Sequence, residues 1–203
     1  MGTYGVCMRY GFAIVFVTAV LNAVASTAHA QDRRGFWIGT TIGVGSVDAS
    51  AAGVSDFDRS RIGAFDIETG WAVNPRLLVG VEVNAFAVTL FNATTIRDVG
   101  ITDVSATVTY YPPQSSGLFV KAGAGPSFAY ALDDSPAGEV SGSGLGAIVG
   151  AGYDLYLGRN FSLMTGVDFR FGNMGELAFG QQAGFRSWKH NVLDVVTVGI
   201  KFN

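Results

Sequence analysis

The feature that most constrains this chain is an alternation of apolar residues with small or polar ones, which recurs from residue 36 to residue 202. A period of two is typical of β-strands whose two faces meet different surroundings. Eight segments show it, at 36–45, 60–71, 77–88, 101–111, 118–130, 144–156, 161–171 and 191–202. Their length is close to the roughly 9 to 11 residues that a tilted strand needs to cross a membrane.

The connections between these segments alternate between short and long. Residues 72–76, 112–117 and 157–160 are short and contain Pro, Gly or Asn, which favour tight turns. The long, polar connections are 46–59, 89–100, 131–143 and 172–190. Short turns at one end and long loops at the other are typical of barrels in the bacterial outer membrane, and this order predicts that both termini are periplasmic.

Each segment has one apolar face. In the third segment, Leu77, Val79, Val81, Val83 and Ala85 oppose Leu78, Gly80, Glu82, Asn84 and Phe86. In the last segment, the even positions from 192 to 202 form an apolar face that only Asp194 interrupts. The sequence of a soluble β-sandwich or of a lipocalin-like barrel would alternate in the same way. The odd or even position of a residue, its parity, shows which residues share a face but not whether that face points inward or outward. The polar face is rich in glycine here, which favours the narrow interior of a small membrane barrel.

The aromatic residues of the apolar faces also favour a barrel in a bilayer. Phe36, Trp71, Tyr110, Tyr153 and Phe202 lie near the short-turn end, and Phe128, Tyr130, Phe169 and Phe171 lie near the other end. Two such belts mark the membrane–water interfaces of outer-membrane barrels. The sequence therefore predicts an all-β fold, an eight-stranded antiparallel up-and-down transmembrane β-barrel.

The N-terminal region has the organisation of a secretory signal peptide. Arg9 is followed by an apolar stretch at 12–25 and by the sequence Ala-His-Ala at 28–30, a small-x-small site that predicts cleavage after residue 30. An uncleaved helical anchor is the alternative, but the stretch is shorter than the ~20 apolar residues of a spanning helix. The chain thus divides into a signal peptide, 1–30, and an outer-membrane barrel domain, 31–203.

The composition restricts the chemistry that the chain can perform. Charged residues make up 14% of it, against roughly 25% in soluble domains. The single cysteine, Cys7, lies in the predicted signal peptide, so we expect no disulfide and no thiol site in the mature chain. Without Arg9, 12 of the 13 basic groups remain against 16 acidic ones, a net charge of −4. We predict no nucleic-acid partner, no cofactor and no metal site.

This pattern resembles the small outer-membrane β-barrel family that includes the transmembrane domain of OmpA, OmpX and related porin-family proteins. The resemblance covers residues 31–203. Family members end on a strand that the barrel-assembly machinery reads as polar-x-Gly-x-x-apolar-x-aromatic. Thr197, Gly199 and Phe202 fill the first three fixed places, and the sequence ends at Asn203, one place before the last aromatic would stand. The resemblance therefore implies the assembly machinery as a partner.

Charged residues also occur on the faces predicted to point inward. Asp66, Glu68, Glu82, Lys121, Asp154, Asp168, Arg170 and Lys201 are of this kind. The interior of an eight-stranded barrel is just wide enough for side chains to fill it. We predict that Asp66, Glu68, Glu82, Lys121, Asp168 and Arg170 form a paired network that closes the lumen, since unpaired buried ions are costly. The alternative is a narrow gated conduit in which Glu82 changes partner between Lys121 and Arg170.

The connection at 172–190 is predicted to be the longest loop and combines aromatic residues with cations. Arg186, Trp188 and Lys189 are candidate contacts for lipopolysaccharide phosphates, which arginine can bind in a bidentate way. An ordinary solvated rim that is anchored by one tryptophan is the alternative.

An enzymatic role is the third possibility. Outer-membrane lipid A deacylases resemble this scaffold and carry a His-x-Ser pair with a nearby acid. Here Asn191 and Val192 follow His190, and Ser187 and Asp194 do not have the spacing of that pattern. Because strand neighbours three residues apart face opposite sides, we predict no catalytic site.

These observations predict an integral protein of the outer membrane with a structural or surface-interaction role, in envelope integrity or in adhesion through its loops. A narrow passive channel for small solutes is the alternative, and a lipid A-modifying enzyme comes third. The expected partners are outer-membrane lipids, lipopolysaccharide, the barrel-assembly machinery and a host or surface ligand. Loops rather than the fold would carry the specificity.

Overall fold

A computed structural model of the protein describes residues 33–50, 60–92, 95–113, 117–131, 140–158, 160–179 and 182–202. The strands are β1 (Gly35–Ser50), β2 (Ser60–Asn74), β3 (Leu77–Asn92), β4 (Thr95–Tyr110), β5 (Leu118–Ala131), β6 (Val140–Tyr156), β7 (Phe161–Phe179) and β8 (Gln182–Phe202). Each strand pairs antiparallel with the next, and β8 pairs with β1 to close the barrel. The predicted eight-stranded up-and-down barrel is confirmed.

The short connections lie at one end of the barrel, which we call the turn end; the opposite end is the loop end. Pro75 and Arg76 alone join β2 to β3, and the Asn74 side chain accepts a hydrogen bond from the Arg76 N–H at 2.8 Å. The Tyr111 N–H donates to the Arg76 carbonyl at 2.9 Å, which ties the next connection to this turn. The register of β1 with β2 and β8 places Gly35 and Phe202 at the same end.

The apolar faces of the strands point outward and the polar faces point inward. Ile42 on β1 is 66% exposed, whereas Asp66 on β2 is 1% exposed. A soluble fold would show the reverse. The exposed apolar band includes Phe65, Ile67, Val81, Val108, Val120, Val149, Val167 and Ile200. Because the sheet also closes on itself, the soluble sandwich alternative is wrong.

The aromatic residues follow the two predicted belts. Trp71 and Phe202 are exposed near the turn end, and Phe128 and Tyr130 are exposed toward the loop end. Among the residues that the structure describes, no helix is long and apolar enough to cross a membrane. The predicted signal peptide lies outside the described residues.

Several strands continue farther toward the loop end than the alternation predicts. β3 ends at Asn92 and β4 begins at Thr95, so the long loop predicted at 89–100 is wrong. Likewise, β7 reaches Phe179 and β8 starts at Gln182, within the loop predicted at 172–190. Beyond the membrane both faces of a strand can meet water. The apolar alternation therefore ends there, although the backbone pairing continues.

A β-bulge in β8 changes which residues face the lumen. Val44 on β1 pairs with Val196, but the next residue, Gly45, pairs with Asp194, which leaves Val195 as an extra residue. Val192 is consequently buried inside the barrel while Val198 is exposed outside. The single apolar face predicted for positions 192 to 202 is wrong, because one inserted residue reverses strand parity.

Candidate functional site

The lumen is the part of the molecule where chemistry-bearing side chains converge. Asp66 on β2, Glu82 on β3 and Lys121 on β5 point inward, and so do Asp168 and Arg170 on β7. We call these five residues the central cluster. Their inward orientation follows from the strand period of two, because each takes the polar place in an alternating segment.

Arg170 is the hub of the central cluster. Its Nη2 atom lies 2.7 Å from Asp66 Oδ1, 3.1 Å from Glu82 Oε1 and 3.6 Å from Asp168 Oδ2. The Asn84 side chain also donates to Asp66, and Thr41 Oγ1 donates to Asp66 Oδ2 at 2.7 Å. The carboxylate of Asp66 is therefore held from three strands.

Lys121 completes the cluster from β5. Its Nζ atom lies 2.9 Å from Glu82 Oε2 and 3.2 Å from Asp168 Oδ2. Gly150 lies between Lys121 and Asp168 in the sheet register. A Cβ atom at Gly150 would overlap the Asp168 carboxylate and lie 3.2 Å from the Lys121 side chain. Glycine at this position therefore leaves room for the two charged groups to meet.

A second group of charges lies closer to the turn end. Lys201 Nζ is 3.5 Å from both Glu68 Oε1 and Asp154 Oδ2, and the Tyr111 hydroxyl donates to Asp154 Oδ2 at 2.6 Å. We call Glu68, Tyr111, Asp154 and Lys201 the lower cluster. The sequence predicted that Glu68 would join the network of Lys121; its ion pair in the structure is with Lys201.

The turn end of the lumen is closed by Arg33 and an apolar cluster. The Arg33 guanidinium lies 3.4 Å from the centre of the Tyr111 ring, and Nη1 donates to the Pro75 carbonyl at 3.1 Å. Burial raises the pKa of the Tyr111 hydroxyl and lowers the pKa of Arg33. Tyr111 also belongs to a buried apolar cluster with Trp37, Ala72, Leu78 and Phe119.

Neither Arg33 nor the role of Tyr111 was found from the sequence. Arg33 precedes the first alternating segment, and Tyr111 is the last residue of the fourth. Tyr111 continues the inward alternation of Ser105, Thr107 and Thr109 and is buried, whereas Tyr110 is exposed. The alternation of the fourth segment was therefore the signal that could have placed Tyr111 in the lumen.

The lumen contains little free space between the two clusters. A cavity of about 20 Å³ lies between them, lined in part by Glu68, Lys121, Asp168 and Lys201. This is close to the space that a single water molecule needs. The charged side chains are therefore closely packed at this level.

His190 lies inside the lumen toward the loop end. Its ring packs edge-on against Phe86 with centroids 5.7 Å apart, and Nε2 is 3.9 Å from Asp103 Oδ2. The side chains of Ser187 and Asp194, which were considered as triad partners, lie outside what the structure describes. Within the described residues, no group of three His, Cys, Asp or Glu side chains could hold a metal ion.

The candidate lipopolysaccharide contacts lie on a strand rather than in a loop. Arg186, Trp188 and Lys189 are part of β8, where the backbone of Arg186 pairs with that of Glu176 on β7. Lys189 is exposed. The loop prediction for these residues is therefore wrong.

The residues of the candidate assembly signal divide between the two faces of β8. Thr197 is buried in the lumen, and Gly199 has the same parity. Phe202 is exposed on the outside and packs against Phe161 with ring centroids 5.0 Å apart. The final strand thus presents one polar and one aromatic face.

Solved structures of known proteins share this architecture. Neisserial surface protein A is 17% identical, with 83% of this chain and 96% of that chain covered and a TM-score of 0.55. Ail, the attachment invasion locus protein of Yersinia pestis, solved with the heparin analogue sucrose octasulfate, is 14% identical, with 83% and 98% covered and a TM-score of 0.52. These likenesses concern the fold. No curated protein matches the chain.

A family model described as "Outer membrane protein beta-barrel domain" matches residues 15–200, nearly the whole chain. The closed barrel, its exposed apolar band and its aromatic belts agree with that match. The chain therefore belongs to the outer membrane protein beta-barrel domain family and is an integral outer-membrane protein.

Proposed function

We propose that this protein is a closed barrel that presents its loop-end hairpins at the cell surface, in a structural or surface-interaction role such as adhesion or envelope integrity. The observation that carries the proposal is the length of β7 and β8. β7 continues from Phe171 of the outer aromatic belt to Phe179, which is about 25 Å along the strand. This hairpin extends well beyond the lipid, with the termini on the periplasmic side.

The packed lumen supports this role over transport. The central cluster, the lower cluster and the apolar residues at the turn end occupy successive levels of the barrel interior. A barrel that is filled in this way is a rigid support for its hairpins. The proposal assigns no catalysis to the protein. Lipid A from cells that express it should therefore have the same mass, by mass spectrometry, as lipid A from cells that do not.

The role of the β7–β8 hairpin can be tested by shortening it. Replacement of residues 176–186 by an Asn-Gly turn removes the part farthest from the membrane and keeps a favourable hairpin connection. We expect cells with this variant to lose the attachment or detergent resistance that the full-length protein confers. Heat-modifiable gel mobility must show that the variant barrel is folded. Unchanged attachment and unchanged resistance would contradict the surface role.

A narrow conduit remains the second candidate, because Glu82 contacts both Lys121 and Arg170 and could exchange one for the other. Planar-bilayer recordings separate the two functions. The closed barrel predicts no stable unit current for the wild type or for Lys121→Ala. A steady wild-type current that Lys121→Ala alters would favour the conduit.

We also assign lipopolysaccharide contacts to the outer part of β8, where Arg186, Trp188 and Lys189 follow one another along the strand. Lys189 is exposed, and a cation at this height can meet lipid phosphates. The double variant Arg186→Ala with Lys189→Ala should co-purify with less lipopolysaccharide. Unchanged lipid content would remove this assignment. Thr197, Gly199 and Phe202 remain the proposed signal for the assembly machinery.

A further inference from the structure

The barrel wall has an open seam toward the loop end, between β2 and β3. The last backbone pair of these strands is Ala64 with Phe86. Both strands continue beyond it, β2 against β1 and β3 against β4. Gly63 and Ala87 would form the next pair of the seam, but the described parts of β2 and β3 do not pair there.

A groove of about 320 Å³ lies over this seam on the outer face of the barrel. That volume is at the lower end of the range for ligand pockets, roughly 300 to 1,000 Å³. Five small residues and three aromatic residues line it: Gly63, Ala64, Ala85, Ala87 and Gly100, with Phe65, Phe86 and Tyr130. None of the lining residues is charged. The groove therefore suits an apolar occupant.

Glycine shapes both sides of the groove. Tyr130, Gly100 and Ala87 lie in one row across three strands. A Cβ atom at Gly100 would lie 2.6 Å from the Tyr130 ring, so the absence of a side chain lets the ring lie against the wall. At Gly63 a Cβ atom would meet nothing within 4 Å, so this side of the groove is open.

The level of the groove indicates what covers it. Tyr130 and Phe128 belong to the outer aromatic belt, and exposed Phe65 and Val83 continue the lipid-facing band toward the turn end. The groove is thus continuous with a surface that lipid already covers. Unpaired strand edges are costly in pure hydrocarbon. The unpaired backbone groups of the seam therefore need polar partners. The seam must lie at a height where the ester or amide groups of lipids, or water, can reach it.

We infer that the groove holds one acyl chain of an outer-leaflet lipid, with the ester or amide linkage of that chain beside the open seam. The small residues leave space for the chain, the rings of Phe65 and Tyr130 confine it, and the linkage supplies polar groups to the strand edges. This inference depends on the position of the barrel in the membrane and not on the proposed surface role.

Photo-crosslinking tests the site. The barrel is reconstituted in dimyristoylphosphatidylcholine vesicles that contain a phosphatidylcholine with a diazirine in one acyl chain, and labelled peptides are mapped by mass spectrometry. We expect the region around Ala85 and Ala87 to be labelled more than the region around Ala124, which is also exposed on the lipid face. Ala87→Phe should lose the excess labelling. Ala124→Phe, the same change outside the groove, should keep it.

Equal labelling of the two regions in the wild type, or excess labelling that persists in Ala87→Phe, would overturn the inference. If Ala87→Phe lacks folded gel mobility, Gly63→Leu fills the groove from the other strand and should give the same loss. Residues 51–59 of this chain are a competing occupant. Labelling that appears only after deletion of residues 51–59 would show that this segment fills the groove. That result would also overturn the inference.

Discussion

At the scale of single residues, Glu82 lies where the two charge clusters of the lumen meet. Its cross-strand neighbour on β2 is Glu68, and two acids in directly opposite positions repel each other. Each has a different cation: Glu82 contacts Lys121 and Arg170, whereas Glu68 contacts Lys201. Pairing with different cations offsets the repulsion between the two carboxylates.

The sequence predicted the lumen charges better than their partners. Parity alone placed Glu68 and Glu82 inside, because each belongs to an unbroken alternating segment. Which cation each acid meets depends on the stagger of neighbouring strands and on the closure of β8 onto β1. Lys201 on β8 and Glu68 on β2 lie on either side of Gly39 in β1. They meet only because β8 closes onto β1. Neither the stagger nor the closure can be predicted by counting residues within one segment.

Glu82→Gln tests the energetic role of the central cluster. The substitution keeps the shape of the side chain but removes the charge that Lys121 and Arg170 share. Loss of one partner from a buried ion pair costs roughly 3 to 5 kcal/mol, and we expect about 3 kcal/mol because Asp66 and Asp168 remain. Urea unfolding from lipid vesicles measures the change. Thr107→Ser, a neutral change in the lumen, should cost much less; an equal loss for both variants would contradict the role of Glu82.

At the scale of elements, the bulge in β8 reconciles two stretches of opposite parity. His190 and Val192 face inward before Val195, and Thr197 and Lys201 face inward after it. The alternation on each side is regular, but no residue type at position 195 distinguishes a bulge from a continuous strand. The inward and outward faces of β3 and β7 were therefore predictable from the alternation. The faces of β8 were not, because the bulge at position 195 reverses them.

Deletion of Val195 tests the bulge. Without the extra residue, the chain must turn either Val192 and His190 or Thr197 and Lys201 toward lipid. Turning Lys201 outward would leave Glu68 and Asp154 buried without their cation, and loss of one partner from a buried ion pair costs roughly 3 to 5 kcal/mol, so we expect the deletion to prevent stable folding. Heat-modifiable mobility after reconstitution reports the folded barrel. Val195→Ala, which keeps the residue count, should fold; a deletion variant that folds equally well would rule out the parity switch.

At the scale of the whole molecule, a barrel in lipid has its apolar side chains on the outside and its polar side chains inside. Fold class was predictable because strand length, turn order and the aromatic belts all follow from the thickness of the membrane. The loop-end extensions of β3, β4, β7 and β8 were not, because water on both faces imposes no alternation there. The seam between β2 and β3 also leaves no trace in the residue pattern.

The central claim is that lipid covers the apolar face of every strand while the polar face fills a closed lumen. Nitroxide labels at single cysteines along β3 test it most directly, with the barrel in lipid vesicles and two collision partners, oxygen for lipid and a nickel complex for water. We predict that labels at Val79, Val81 and Val83 collide with oxygen far more than with nickel. Preferential collision with nickel at these three positions would mean that water covers this face, and would contradict the account.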